Sequence, residues 1–384
     1  MKVMAKHMKK FFVSSFRGLK DLSVENTSDI NILVGDNNSG KTSVLEALML
    51  LRNPNSFSNV INVARLRETR NFYLPFRVST YEAFVNLFNR NTKSEKMMLQ
   101  VMGEVDNTLL DITINGNVEN VMVDLEEVAK SNPKMKQRIT YGEVIDNSET
   151  PMFIGKQHSI INGSEDIQEI KFSNYSSITG SRIDRPIVVD FDYVSPIDHS
   201  GGRIFSKIIK NDNYKHLVIK VLQTFDKDIV DLVLLKNEQS NAPVEYINHN
   251  QLGLMPVSTY GDGIKKVILL ADRIASAQGG VLLIDEIETA IHIRSYKDIF
   301  NFVVKACIEF KVQLFATTHN IEALDSILKT QYNEKTEEYD SAQKDLIRVI
   351  TFRKEEKTGK TLSRVLTGEK VFQNRENFDF EVRV

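Results

Sequence analysis

The chain has 384 residues, of which 41% are hydrophobic and 26% are charged, so it can bury a large core and has room for two domains. Its formal net charge of −2 excludes the strong positive field of an obligate nucleic-acid binder, although not a local basic patch. The basic start lacks the apolar core of a secretory signal, and no apolar run approaches the roughly 18 residues of a membrane helix. We therefore expect a cytoplasmic protein that is neither exported nor membrane-spanning.

Short apolar runs predict strands near the amino terminus. They cover residues 11–16, 22–24 and 30–34, and turn residues separate them. From Lys41 onward, apolar residues recur at helical spacing until about residue 53, which predicts one helix. A strand, a glycine-rich loop and a helix thus follow one another directly.

The sequence pattern changes over the next hundred residues, where apolar and polar residues alternate as in exposed strands. Asn-Gly pairs at 115–116 and 162–163 are typical of hairpin turns. We interpret 56–180 as an inserted β-rich lobe for docking or sensing, and 1–55 together with 181–384 as the head. The strands predicted in the lobe cover 97–105, 109–114 and 152–161.

The remaining chain alternates predicted strands and helices, an order that favours a largely parallel sheet. The polar stretch 331–344 is expected to form a solvated loop or an exposed helix. Cys307, the single cysteine, lies in an apolar helical pattern and is predicted to be a buried, reduced thiol. We predict strands at 186–194, 281–284, 312–316, 346–352 and 361–365, and helices at 203–225, 263–277 and 293–303.

A phosphate-binding loop is the clearest motif. Because it follows an apolar strand and opens a helix, backbone N–H groups and the helix N-terminus can surround a β-phosphate of ATP. Lys41 can then reach the β- and γ-phosphate oxygens, and the Thr42 hydroxyl can hold Mg²⁺, with Ser43 beside it. The alternative, an ordinary glycine turn that caps a helix, is disfavoured by this context. The loop pattern is matched by Gly35, Asp36, Asn37, Asn38, Ser39, Gly40, Lys41 and Thr42.

An acidic pair ends an apolar strand. Asp285 and Glu286 follow the run 281–284, an arrangement in which the aspartate supports Mg²⁺ and the glutamate orients and polarises the attacking water. Two acids after a strand are weak evidence alone, but here the glycine loop precedes them by about 240 residues. The pair predicts ATP hydrolysis rather than switch-type binding.

Two further segments are weaker evidence for an ATP site when each is taken alone. His319 follows the strand at 312–316, at the edge where an open α/β sheet places its ligand residues. A lone histidine is more often structural, but the order of glycine loop, acidic pair and histidine favours a sensor of the γ-phosphate. The turn Gly261-Asp262-Gly263 precedes a helix, and by itself it is typical of a helix cap.

Taken in chain order, the glycine loop, the 261–263 turn, the acidic strand end and the histidine resemble the ATP-binding-cassette (ABC) heads of the RecF, SMC and OLD ATPases. This resemblance covers about 1–55 and 250–325. It implies an α/β fold, an ABC-type P-loop NTPase head with a mixed, largely parallel sheet and an inserted β-rich lobe.

Within that group, the chain is similar to the stand-alone AAA ATPases of bacterial anti-phage systems of the PARIS or Septu kind. The opening segment 15–22 with Arg17 carries this likeness, together with the run from Asp285 to Glu288 and with His292.

The resemblance also implies a nucleotide sandwich between two heads. The 261–263 turn of one subunit would complete the ATP site on the glycine loop of another. Glu288 and His292 would lie on the loop that crosses the interface, and Arg17 would approach the nucleotide. Two departures predict slow turnover, because Gly261 stands where the family usually has serine and the glutamine that ligates Mg²⁺ in the family cannot be placed.

We predict an ATPase sensor or scaffold that forms a homo-oligomer through its heads. It would control a separate effector, a nuclease or toxin, in anti-phage defence, with nucleic acid or a phage protein as the trigger. The alternative is a RecF- or SMC-like ATPase of DNA repair or maintenance, although neither heptads nor a positive excess are present. An OLD-type nuclease is disfavoured because only about 60 residues follow His319, and a transport-linked ATPase because the motifs resemble the RecF group more.

Overall fold

The structure is a computed structural model that describes residues 6–67, 78–89, 96–122, 149–176, 187–201, 207–236, 243–333, 338–339 and 345–378. The strands are β1 (Met8–Phe16), β2 (Leu19–Val24), β3 (Ile30–Val34), β4 (Met97–Val105), β5 (Thr108–Met122), β6 (Glu149–Ile161), β7 (Ser164–Ser173), β8 (Phe191–Val194), β9 (Ile229–Lys236), β10 (Pro243–His249), β11 (Gly253–Pro256), β12 (Val281–Ile284), β13 (Gln313–Thr317), β14 (Tyr332–Asn333), β15 (Glu338–Tyr339), β16 (Ile347–Lys354) and β17 (Thr361–Thr367). The helices are α1 (Lys41–Leu50), α2 (Phe57–Ala64), α3 (Thr80–Val85), α4 (Asp212–Leu222), α5 (Asp262–Ser276), α6 (Tyr296–Phe310), α7 (Ile321–Leu328) and α8 (Gly368–Phe378).

A six-stranded sheet in the order β17-β16-β3-β13-β12-β8, the central sheet, lies between two hydrophobic cores. Every pair of adjacent strands in this sheet is parallel except the antiparallel pair β16 and β17, so the predicted mixed, largely parallel sheet is confirmed. Because β13 lies between β3 and β12, the carboxyl ends of these three strands are adjacent. The segments that follow them are the glycine loop, the acidic pair and the His319 segment.

The β-rich part of the chain forms a second, antiparallel sheet in the order β2-β1-β4-β5-β6-β7. Its strands β4 to β7 extend the amino-terminal hairpin, since β1 pairs with both β2 and β4. Alternate residues of β3 enter different cores: Leu33 packs with α1 and this antiparallel sheet, whereas Ile32 packs with the helices on the opposite face. The central sheet is therefore covered on both sides, as parallel sheets require.

Hairpin chemistry was predicted correctly at one Asn-Gly pair and wrongly at the other. Asn162 and Gly163 have φ of 49° and 83° and form the β6–β7 turn. Asn115 and Gly116 instead lie inside β5. A Cβ on Gly116 would lie 2.4 Å from the Ile154 carbonyl oxygen of the paired strand, so this glycine permits close backbone approach rather than a turn.

Several regions of the carboxyl-terminal half differ from their predictions. The helix expected over 203–225 is α4 alone, with 203–206 outside the described residues. The three-stranded sheet β9 to β11 and helix α8 were not predicted. In the polar stretch 331–344, the described residues include a short antiparallel pair, β14 and β15, while 334–337 and 340–344 lie outside the description.

The other long apolar elements lie where their periodicity indicates. Helix α5 buries Ile264, Val267, Ile268, Ala271 and Ile274. Cys307 is buried, and burial raises the pKa of its thiol far above the usual value. Among the helices of the described ranges, none is both long and apolar enough to cross a bilayer.

Candidate active site

The glycine loop connects β3 to α1 through two backbone conformations that favour glycine. Gly35 and Gly40 have φ of 147° and 101°. A Cβ on Gly40 would lie 2.5 Å from a methyl group of Leu19, and one on Gly35 would lie 2.9 Å from the Phe352 carbonyl oxygen. The loop therefore fits between β2 and β16 only with glycine at both positions.

The loop encloses its own lysine. Lys41 is 4% exposed, and its Nζ donates to the carbonyl oxygens of Gly35 at 2.7 Å and Asp36 at 2.9 Å. Ser39 is also buried, and its Oγ has no hydrogen-bond partner among the described residues. Asp36, Asn37 and Asn38 are exposed. A cation and a hydroxyl are thus held inside a loop whose outer part is open to solvent.

Thr42 and Asp285 meet at the end of the central sheet although they are far apart in sequence. Thr42 Oγ1 donates to Asp285 Oδ1 at 3.0 Å. Asp285 is 5% exposed, and its other oxygen accepts a hydrogen bond from the Tyr193 hydroxyl at 3.3 Å. The structure therefore joins the two residues that the sequence assigns to a metal ion.

Thr317 is a residue of this site that the sequence analysis missed. Its Oγ1 donates to Asp285 Oδ1 at 2.7 Å and accepts the backbone N–H of Glu286 at 2.8 Å. Glu286 itself has φ of 48°, an unusual conformation for a residue with a side chain, and its Oε2 accepts from the Thr289 hydroxyl at 3.1 Å. The acidic pair is consequently fixed in backbone and side chain. The Thr317-Thr318 pair beside His319 was a usable signal.

His319 and Glu288 are neighbours. The backbone N–H of His319 donates to Glu288 Oε1 at 2.9 Å, and both residues are half-buried. Glu288, which the family resemblance assigned to an interface loop, therefore also holds the segment of the histidine expected to sense γ-phosphate.

A buried carboxylate on α1 is the second missed feature. Glu46 is fully buried, and its oxygens lie 2.9 Å from Arg17 Nε and 2.8 Å from Arg67 Nε. Arg67 also donates to Ser43 Oγ at 3.1 Å. Arg17 is thus placed against the helix that follows the glycine loop. A lone acid among Val44, Leu45, Ala47 and Leu48 was the sequence signal, because buried acids are rare unless paired.

The 261–263 turn begins α5 at the protein surface. Gly261 and Asp262 are exposed, and Asp262 pairs with Lys265 at 3.3 Å. A Cβ on Gly263 would lie 3.3 Å from the Ala290 carbonyl oxygen, so the turn lies next to the loop that follows β12. His292, on the same loop, is exposed and accepts the Arg294 N–H through its ring Nδ1 at 3.2 Å.

Asp226, Asp228 and His249 have ligand atoms within 4.8 Å of one another, as a metal site would. The hydrogen bonds argue against this use. His249 Nδ1 accepts backbone N–H groups from Gln251 and Leu252, both at 3.1 Å, so the ring proton is on Nε2, which lies 3.1 Å from Asp226 Oδ2. No lone pair of the ring remains for a cation, and the group instead stabilises the turn between β10 and β11.

Parts of the chain are similar to known proteins. A family model described as "AAA domain, putative AbiEii toxin, Type IV TA system" matches residues 195–325, and one described as "Protein of unknown function (DUF2813)" matches 6–60. An "ATP/GTP phosphatase" of Helicobacter pylori is 22% identical over 83% of this chain and 87% of its own. The "DNA replication and repair protein RecF" of Actinobacillus pleuropneumoniae is 29% identical over 27% of this chain and 29% of its own. The SMC head domain from Thermotoga maritima matches with 12% identity and a TM-score of 0.46, covering 94% of this chain and 99% of that chain.

The glycine loop and the acidic strand end lie at one edge of the parallel sheet that joins them, and the AAA-domain match covers the acidic strand end and the His319 segment.

Proposed function

We propose that this chain hydrolyses ATP between two of its own heads and thereby controls a separate effector protein in bacterial anti-phage defence. The observation that carries the proposal is the shared edge of β3, β13 and β12, where the hydroxyl of Thr42, the carboxylate of Asp285 and the hydroxyl of Thr317 are directly hydrogen-bonded. An ATPase needs a phosphate cradle, a metal-binding acid and a fixed water-orienting acid at one place.

The chain's own groups fit the phosphates of ATP and a Mg²⁺ ion. The orphaned Ser39 hydroxyl and the enclosed Lys41 ammonium supply a donor and a positive charge to phosphate oxygens. Thr42 and Asp285 offer the hydroxyl and carboxylate oxygens that Mg²⁺ prefers, and they would hold it. When bound, the ion neutralises charge on the phosphates.

Glu286 orients the attacking water in this proposal. Its backbone is held through Thr317 and its carboxylate through Thr289, so one carboxylate oxygen has a defined direction before substrate binds. A preorganised acceptor needs little rearrangement in the transition state. His319 reports the γ-phosphate, and Glu288 transmits the position of its segment to the loop after β12.

Assembly through the heads completes the site. Gly261 and Asp262 are exposed at the start of α5, where backbone N–H groups and the positive end of the helix favour phosphate oxygens. Gly263 lies against the Ala290 loop of its own chain, while Gly261 and Asp262 stay exposed and can face a second subunit. Glu288 and His292 lie on the same loop as Ala290. The ion pair between Arg17 and Glu46 holds Arg17 against α1.

Two observations support control of an effector, a nuclease or toxin: the β-rich lobe and the family model that matches residues 195–325. ATP chemistry does not require the sheet that β4 to β7 add to the head, and such an addition is suited to docking or sensing. The family matched at 195–325 is described through a toxin and a toxin–antitoxin system. The trigger would be nucleic acid or a phage protein, in the cytoplasm.

A second candidate is an ATPase of DNA repair or maintenance. The similarity to RecF proteins over about a quarter of this chain favours it. ATP-dependent binding of the purified chain to DNA would support this candidate over effector control.

The test is expression of the chain with and without its genomic neighbour, each with unsubstituted Lys41 or with Lys41→Ala, under phage challenge. Protection should need the neighbour and an intact Lys41, because only the ATP-competent head changes the exposed surfaces. Protection by the chain alone, or degradation of nucleic acid by the purified chain, would refute effector control.

A further inference from the structure

Two buried, oppositely charged atoms next to the candidate site have no hydrogen-bond partner among the described residues. One is Nζ of Lys266 on α5, a side chain with no exposed surface. The other is Oε2 of Glu288, whose Oε1 accepts the His319 N–H. Burying a charged atom without a hydrogen bond is unfavourable, so both groups lack their best partner in this arrangement.

The surroundings of Lys266 are unusually acidic. Burial lowers the pKa of its ammonium to about 8, while Asp198, Glu288, Asp285 and Glu286 act in the opposite direction. These carboxylates come from two elements, the turn Asp198–Ser200 and the loop after β12. The ammonium also lies near the start of α5, where the helix dipole disfavours a cation.

All four carboxylates accept hydrogen bonds from other groups, but only Glu288 has a buried oxygen without a partner among the described residues. Asp198 accepts from the backbone N–H of Ser195 at 2.8 Å and from its hydroxyl at 2.5 Å. Asp285 accepts from three hydroxyl groups, and Glu286 accepts from Thr289. Glu288 is therefore the carboxylate with a buried oxygen left over, and it is the matching partner for Lys266.

We infer that Lys266 and Glu288 form a latch, a direct ion pair that closes when ATP brings two heads together. The inference rests on the proposed function, since it needs nucleotide-driven assembly. Lys266 lies one helical turn after the 261–263 segment, whereas Glu288 lies two residues after Glu286 and holds His319. The closed latch fixes the start of α5 relative to Glu286 and His319, so Lys266 is a positioning residue and does not touch ATP.

The latch predicts a specific kinetic signature. Lys266→Met removes the charge at similar length, and Glu288→Gln keeps an oxygen that can still accept the His319 N–H. In the full-length chain, each should lower kcat by about tenfold, the usual scale for loss of a coupling contact, while KM for ATP and the Kd of a nonhydrolysable ATP analogue stay within about threefold. The double variant should lose no more than either single variant, because both remove one interaction.

The outcomes separate this inference from the function on which it rests. Wild-type kcat in Lys266→Met or in Glu288→Gln overturns the latch, as do single losses that multiply in the double variant. If Lys266→Met does not fold, Glu288→Gln alone decides by the same kcat criterion, since its side chain is half-buried and nearly isosteric. Absence of ATP hydrolysis in the unsubstituted chain overturns the proposed function and the latch with it.

Discussion

The hydroxyl of Thr317 donates to the Asp285 carboxylate at 2.7 Å across the neighbouring strands β13 and β12. The same oxygen accepts the Glu286 N–H at 2.8 Å. One hydroxyl at a strand end therefore orients both members of the acidic pair. This explains how Glu286 is kept at a φ of 48°, a conformation that needs support from surrounding contacts.

Thr317→Val should impair hydrolysis without changing side-chain volume. It leaves the Glu286 N–H without its acceptor and removes one donor from Asp285, a change that typically lowers stability by about 1–3 kcal/mol. We expect a lower kcat with a cooperative unfolding transition retained, measured by phosphate release and by denaturant titration. Thr317→Ser keeps the hydroxyl and is the matched control. Equal losses in both variants would show that loss of the hydroxyl does not by itself explain the effect.

Glu286→Gln separates binding from chemistry. The amide can still accept from Thr289 but polarises water less, so ATP binding should persist while the rate falls by about 10²-fold or more. The variant should also accumulate ATP-bound oligomers, visible by light scattering of the eluting species. Equal loss of ATP affinity and of turnover would instead assign Glu286 to the metal site.

The sequence was sufficient for the parts of the site that are contiguous in the chain. The glycine loop and the acidic pair each combine local backbone requirements with side-chain chemistry, so a linear pattern records them. Thr317 contacts Asp285, which is 32 residues away in the sequence, and Glu46 contacts Arg17, which is 29 residues away. No local sequence pattern encodes those contacts. Lys266 was hidden for another reason, because its apolar neighbours on α5 do not reveal that a charged side chain is turned inward.

The fold shows the same division. Continuous apolar runs located β3, β12 and β13, and helical spacing of apolar residues located α5. The three-stranded sheet β9 to β11 was missed because its outer strands expose large apolar residues such as Leu235 and Leu254, which obscures alternation. Asn115 and Gly116 favour a turn locally, but they pair with β6 as part of a strand instead.

Gly261→Ser tests whether the missing serine limits turnover. Gly261 has φ of −66° and ψ of 157°, which any residue adopts, and a Cβ there meets nothing within 4 Å. It is also the N-cap of α5, a position that serine favours. We expect faster steady-state hydrolysis with unchanged or slightly higher stability. Gly261→Ala is the control, and equal acceleration by alanine would rule out a hydroxyl contact to the nucleotide.

Lys266→Met should stabilise the isolated chain in a pH-dependent way. The pKa of Lys266 is about 8 in the folded chain against 10.5 as its ordinary value, so below pH 8 folding must bury a charge. This difference in pKa corresponds to at most about 3 kcal/mol of destabilisation at pH 7. The destabilisation disappears as the pH rises from 8 to 10.5, because in that range only the unfolded chain holds the proton.

The measurement is urea unfolding of both chains between pH 7 and pH 10, read as the difference at each pH. Groups elsewhere titrate alike in both chains and cancel. The titratable groups that face Lys266 are Asp198, Asp285, Glu286, Glu288 and His199, and burial lowers the pKa of His199. The advantage of Lys266→Met should therefore be largest at pH 7 and shrink toward pH 10. A constant difference, or one that grows with pH, would mean that the ammonium is already paired in the folded monomer.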